Sequence, residues 1–266
     1  MELKTAVAQR TAELVTGSHV VMEGAGVPVR RVLPSRQATY RLVDPWLLLD
    51  EFKMDSFGGE GESFPPHPHR GFEIVTYMIQ GSGNHTDSEG NAGEVQAGGL
   101  QRITAGRGIW HGEGGGSGPA GPVHGLQLWI NLPRAEKQIP PGYQAVQAGD
   151  IPEQAVGDAR VRVLVGDGSP TQLQTPAIYL DATVTPSGQT ELAVPAGFQG
   201  FAYVLEGSGS FGSNELKADA TQVVVLGQAE GETVFPVSAG AEGVRFVLAA
   251  ARPIGETPHF NGPFVD

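Results

Sequence analysis

The sequence of 266 residues contains no cysteine. Disulfides, thiolate metal sites and a cysteine nucleophile are therefore excluded, and any metal must be held by His, Asp or Glu. Charged side chains make up only 17%, with 17 Lys+Arg against 29 Asp+Glu and a net charge of −12. An acidic chain without a Lys/Arg cluster lacks the electrostatic footprint of a nucleic-acid binder. The negative charge itself needs no cause beyond solubility. No run of about 18 apolar residues occurs, and the N-terminal stretch MELKTAVAQRTAELVTGSHVVM has no apolar signal-peptide core. The expectation is a soluble, cytoplasmic protein with no membrane partner. No carboxylate pair suggests glycosidase chemistry, and neither a Ser-His-Asp order nor a phosphate loop is evident.

Glycine and proline are plentiful instead. The 39 glycines and 20 prolines make about 22% of the chain, nearly double the ~12% of average usage but short of the ~25–30% of low-complexity chains. With 39% hydrophobic residues, the chain can form a core. Both residues are poor in helix interiors and suited to turns, so many short strands are expected. Strand candidates are VPVRRVLP (27–34), PWLLLDEF (45–52), HGLQLWINL (124–132), RVRVLVG (160–166), AIYLDATV (177–184), TQVVVLG (221–227) and GVRFVLAA (243–250). Several alternate apolar with polar residues, as half-buried strands do. Only the first fifteen residues look weakly helical. The pattern predicts an all-β sandwich or barrel in each half.

A repeat supports two halves. GFEIVTYMIQGSG (71–83) and GFQGFAYVLEGSG (197–209) share six of thirteen positions at an offset of 126. That offset is about half the chain, as a duplicated domain would give. The break is expected within residues 133–152, where prolines and polar residues accumulate.

Five of the seven histidines, His67, His69, His85, His111 and His124, lie between residues 58 and 125, together with nineteen of the 39 glycines. In FPPHPHRGFE, His67 and His69 are one residue apart, so an extended chain points both imidazoles to one face. His111 and Glu113 in WHGE have the same spacing. Two such pairs on neighbouring strands could converge on one ion, and three imidazoles with one carboxylate suit Fe, Mn, Ni, Cu or Zn. Taken alone, an HxH pair is as readily a surface or core feature. His85 and His124 read as structural or solvent-facing. Phe72, Met78, Trp110 and Trp129 read as core rather than substrate contacts.

HPHRGFE, its strand ending in glycine, and TAGRGIWHGE closely resemble the pirin family of the cupin superfamily. DPWLLLDEF (44–52), HGLQLWINLP (124–133) and HFNGPFVD (259–266) continue the resemblance in order, over most of the chain from about residue 20. It implies a bicupin, two tandem double-stranded β-helix (jelly-roll) barrels, divided here into residues 1–138 with the metal site and 139–266 without one. It also implies one non-haem ion, Fe(II) first and Mn, Ni, Cu or Zn as alternatives, on His67, His69, His111 and Glu113. Adding 126 to those positions gives Ala193, Pro195, Val237 and Ala239, none a metal ligand, and only His259 lies in the second half.

Glu73 stands where many cupins place a carboxylate ligand. It is expected to orient the site, with Arg70, or to act as a fallback ligand. The TAGRG turn (104–108) would aim His111 inward, with Arg107 as a salt-bridge anchor. Pirins usually carry a short hydroxyl residue and a methionine around the Glu, whereas this chain reads HGEGGGSGPAGP. The glycine-rich run 112–121 is expected to border the open face of the metal. The chain stops at Asp266, where pirins often run on, which leaves truncation and a shorter natural protein both open.

Two functions follow from the resemblance. Bacterial pirin-like proteins resemble quercetinases, which insert both atoms of O₂ into a flavonol and release CO. A small phenolic substrate, O₂ and a monomer are the expectation, with Glu113 as ligand and general base. The alternative, as in eukaryotic pirins, is a metal-dependent, redox-sensing regulator that binds a protein partner.

Overall fold

The computed structural model describes residues 7–24, 26–57, 64–115 and 121–266. Among these the chain is nearly all β, with one short α-helix, Tyr40–Val43, and two 3-10 turns. The two-barrel, bicupin architecture expected from the sequence is present. One sheet runs in the order Gly142–Val146, Leu100–Thr104, Phe72–Gln80, Gly121–Asn131, Trp46–Phe57, Val27–Leu33, His19–Glu23. A second runs in the order Ala12–Gly17, Gln222–Leu226, Gln199–Phe211, Thr233–Ala251, Ala177–Val184, Ala159–Val165, Glu153–Val156. A smaller sheet, Phe64–His69, Ile109–Gly115, Ser82–Asp87, Ala92–Gln96, folds over the first and closes the N-terminal barrel. No helix among the described residues is long and apolar enough to cross a membrane.

All seven strand candidates are strands, the last extended into the 19-residue Thr233–Ala251. The helical expectation for the first fifteen residues is wrong where they are described. Ala8–Gln9 and Ala12–Gly17 are strands, paired with Thr233–Ala251 and Gln222–Leu226, and residues 1–6 lie outside the described residues. A weak helical preference loses to pairing at an open sheet edge. Arg10 fixes the segment: it is buried and donates to Thr233 Oγ1 (2.9 Å) and the Phe198 carbonyl (2.7 Å). The N-terminal strands Ala8–Gln9 and Ala12–Gly17 therefore join the second sheet, and Gly142–Val146 joins the first.

The repeat has a structural counterpart. In the first sheet, Tyr77, Leu126, Glu51 and Arg30 stand side by side across four strands. In the second, Tyr203, Val247, Asp181 and Arg162 occupy the same register. The two rows face each other and exchange bonds. Tyr77 Oη donates to Asp181 (2.7 Å), and Tyr203 Oη donates to Glu51 (2.6 Å). His124 Nε2 meets the other Glu51 oxygen at 2.7 Å, where Arg245 grips Asp181 in the opposite barrel. His124 is thus a structural histidine of the barrel interface. Trp46, Leu49, Leu128, Phe201, Val225 and Ala249 pack around these bonds as the core shared by the two sheets.

Candidate metal centre

The HPH segment lies on the strand Phe64–His69, antiparallel to Ile109–Gly115, which carries His111 and Glu113. In that ladder His111 stands opposite His67, and Ile109 stands opposite His69. The turn before it is tight: Gly106 has φ +49°, and a Cβ there would lie 2.2 Å from the Ile139 carbonyl. The ring centroids of His67, His69 and His111 are 4.4 to 5.0 Å apart, and their ligand-capable nitrogens fall within 4.8 Å of one another. A second group, His85, His111 and Glu113, meets the same limit and shares His111. Glu113 is therefore grouped with His111, but not with His67 and His69.

Hydrogen bonds set the tautomers. His67 Nδ1 meets the Pro65 carbonyl at 2.8 Å, and His69 Nδ1 meets the Pro263 carbonyl at 3.3 Å. A carbonyl only accepts, so each Nδ1 carries the proton and each Nε2 offers a lone pair. Both nitrogens of His111 are buried without a partner. Orphaned buried imidazole nitrogens in a cluster of imidazoles are what a metal ion would satisfy. Burial, then repulsion from the neighbouring imidazoles, pushes His69 and His111 down to about 3, so both are neutral and free to ligate at pH 7. The cluster fits a divalent transition metal.

Glu113 is held by groups that sequence reasoning missed. Gln101 Nε2 donates to Oε1 at 2.7 Å, Thr76 Oγ1 to Oε1 at 3.3 Å, and Gln127 Nε2 to Oε2 at 2.7 Å. Gln101, Thr76, Gln127, Asp50 and Arg31 form one row across five adjacent strands. All five line a cavity of about 680 Å³ that also reaches His67, His69 and Glu113. Their signal was present in the sequence, since Thr76 and Gln127 are polar residues at inward positions of otherwise apolar strands. The other walls are mostly apolar, with Leu47, Phe52, Phe64, Met78, Val123 and Trp129.

Several expectations need correction. Glu73 does not orient the imidazoles and does not pair with Arg70. It shares strand parity with Val75 and Tyr77, so it faces the other barrel. There it accepts from Thr104 Oγ1 (2.7 Å) and the Gln174 N–H (2.8 Å) beside Arg102. Burial raises its pKa. Arg70 pairs with Asp266. Arg107 makes no ion pair among the described residues, although its N–H donates to the Ile139 carbonyl. Trp110 is 56% exposed rather than core. Met78 and Trp129 line the cavity, and Trp129 also stacks on Phe72 and meets His69 edge-on. His85 is buried, bonded to Asp87 at 3.0 Å and stacked on Tyr143, with Nδ1 unpaired. It does not face solvent, and it stands in the group that also contains His111 and Glu113. Residues 116–120 of the glycine-rich run lie outside the described residues.

The second barrel has no such cluster among its described residues. There Val237 stands opposite Thr190 and Phe235 opposite Leu192. The ladder counterparts of the four predicted ligands are thus Thr190, Leu192, Val237 and Ala239. The constant offset of 126 holds for the later pair and misses the earlier one by three residues. None of the four is a histidine or carboxylate.

Two cupin barrels, one with an imidazole–carboxylate cluster and one filled with apolar side chains, define a bicupin with a single candidate metal centre. The family model Pirin matches residues 26–130, and the model for the pirin C-terminal cupin domain matches residues 179–266. Pirin-1 of Arabidopsis thaliana is 43% identical over 250 residues, covering 91% of this chain and 83% of the relative. Pirin of Homo sapiens is 38% identical over 250 residues, with the same shares. Among solved structures, a quercetin 2,3-dioxygenase from Acinetobacter baumannii superposes with a TM-score of 0.87 at 30% identity, over 97% of this chain and 92% of that one. The chain belongs to the pirin family.

Proposed function

We propose that this chain is a metal-dependent dioxygenase that cleaves a flavonol such as quercetin with O₂ and releases CO. Its residues 1–138 would form the active unit and residues 139–266 a supporting one. The ligands are His67, His69, His111 and Glu113, and the ion is Fe(II), with Mn, Ni, Cu or Zn able to occupy the same donors. The observation that carries the reading is the largely apolar cavity of about 680 Å³ opening onto Glu113 and two of the three clustered imidazoles, His67 and His69, a volume within the range of small-molecule sites. Likeness to the Acinetobacter enzyme supports the same substrate class.

A bound divalent ion supplies Lewis acidity, which lowers the pKa of a ligating hydroxyl. The remaining work belongs to the chain. Phe52, Phe64, Met78 and Trp129 enclose the flat rings and exclude water. Gln101, Thr76 and Gln127 hold the Glu113 carboxylate in place, and a Glu113 oxygen takes the proton of the flavonol 3-hydroxyl. Both atoms of O₂ enter the product, and one ring carbon leaves as CO.

Anaerobic reconstitution with Fe(II), followed by quercetin and O₂, tests the proposal. Loss of flavonol absorbance with CO release is the expected result. Iron-loaded protein that does neither would exclude the dioxygenase reading. The alternative, a metal-dependent regulator that binds a protein partner, would then stand.

A further inference from the structure

Residues 259–266 leave the C-terminal barrel and return to the metal-bearing one. Phe260–Asn261 and Phe264–Val265 pair as a hairpin, closed by reciprocal backbone bonds between His259 and Asp266 (2.8 and 3.0 Å). The seat is specific. Val265 is fully buried with Leu47, Phe72, Ile74 and Ile109, and its N–H donates to the Arg70 carbonyl at 2.9 Å. The Arg70 guanidinium donates to both Asp266 carboxylate oxygens at 2.7 Å and lies over the Phe264 ring. Lys137 Nζ, buried, donates at once to the carbonyls of Val265 (3.0 Å) and Gly71 (2.9 Å) and to Asn131 Oδ1 (2.8 Å). Gly71 has φ +88°, and a Cβ there would lie 1.8 Å from the Val265 oxygen, so the close approach requires glycine.

These contacts fasten the two residues that follow His69. At the hairpin turn, the Pro263 carbonyl accepts the His69 Nδ1 proton at 3.3 Å, across 194 residues of sequence. Phe260, Gly262 and Pro263 also form part of the cavity wall. We propose that the 259–266 hairpin is a positioning element of the metal centre. It fixes the tautomer and orientation of His69 from outside the N-terminal barrel, and it closes one side of the cavity. The role of the ligand-free barrel is then to carry this hairpin into place. The inference rests on the reading of His69 as a metal ligand.

Two variants of the full chain test it. Val265→Asp puts a carboxylate into a fully buried apolar seat, and Lys137→Met removes the ammonium that ties hairpin to ligand strand. Zn(II) affinity is measured by chelator competition, and solvent exchange of the His69 Nδ1 proton by NMR on the zinc-loaded protein. Metal-ligand partners of this kind are typically worth about ten- to a hundredfold in affinity. Each variant should lose about that much, and the Nδ1 proton should change from protected to fast exchange. Phe235→Leu loosens the C-terminal core without touching the hairpin, so it should lower thermal stability and leave both readouts unchanged. Affinity within about twofold of wild type in both hairpin variants, or an equal loss in Phe235→Leu, would overturn the inference. His67→Ala separates the two claims. If it leaves Zn(II) affinity intact, the metal site itself is misplaced. If it abolishes binding while the hairpin variants bind normally, only the positioning role fails.

Discussion

Across the first sheet run Gln101, Thr76, Gln127, Asp50 and Arg31. At the matching register of the second sheet stand Val224, Ala202, Leu248, Leu180 and Val163. The five strands that carry the row pair in the same order, and the side chains on them differ. In the C-terminal barrel that row joins Phe198, Phe211, Phe235 and Phe246 in one continuous apolar core. In the N-terminal barrel the interior is split into two smaller clusters, one around Met78 and Val123 and one around Phe72 and Ile103, with the cavity reaching between the polar row and the imidazoles. Burying a Val or Leu side chain is worth about 1.5–3 kcal/mol. The N-terminal barrel forgoes that at four of the five positions, Ala202 being the exception, and keeps an open, hydrogen-bonding floor. Along this row the two halves differ in side chains at matching register.

The largest effects should separate the barrels. His111→Ala should cost at least about a hundredfold in metal affinity with little loss of fold, since neither ring nitrogen has a hydrogen bond to lose. Phe235→Ala should do the reverse, costing about 3–5 kcal/mol in denaturant unfolding as a large core truncation, with metal binding kept in the folded fraction. Equal metal loss in both would break the comparison. Next comes Gln127→Leu, which imports the residue type of its C-terminal counterpart Leu248. Glu113 Oε2 then loses its amide donor, so metal affinity should fall about ten- to a hundredfold while thermal stability holds or rises. A fall in stability with unchanged affinity would mean that the row serves the fold.

A third effect is graded with pH. Unfolded imidazoles titrate near 6.5, whereas burial holds His69 and His111 at about 3. Below pH 6.5 the unfolded chain therefore takes up protons that the native chain refuses. The metal-free protein should keep its full stability above that point and lose up to about 1.4 kcal/mol per pH unit for each group as acid is added towards pH 3. Urea midpoints between pH 7 and 4 would show this slope, and His69→Gln should flatten it. The smallest effect belongs to His259→Ala: this exposed residue closes the hairpin through its backbone alone, so losing the side chain should change stability by less than about 0.5 kcal/mol and leave metal binding untouched.

Much of this was legible before the fold. The periodicity of 177–184 and 160–166, the duplicated GF…Y…GSG segment and the HPH and HGE pairs all carry local patterns that survive into the structure. Elements defined by distant partners were not legible. The first fifteen residues look weakly helical alone, yet Ala8–Gln9 pairs with Thr233–Ala251 and Ala12–Gly17 with the edge at Gln222–Leu226. Glu73 looked like a site residue from its distance to His69, yet the glycine turn at Gly71 and strand alternation send it to the other barrel. The Pro263 bond to His69 and the amide cradle of Glu113 depend on pairing register, which no single segment encodes.

The proposed metal centre is a single transition-metal ion on His67, His69, His111 and Glu113, in one of the two barrels. Elemental analysis of protein purified without added metal, alongside His67→Ala, tests it most directly. About one equivalent of metal per chain in the wild type, falling close to zero in the variant, is the predicted result. Two equivalents per chain, or a variant that keeps the wild-type content, would contradict it.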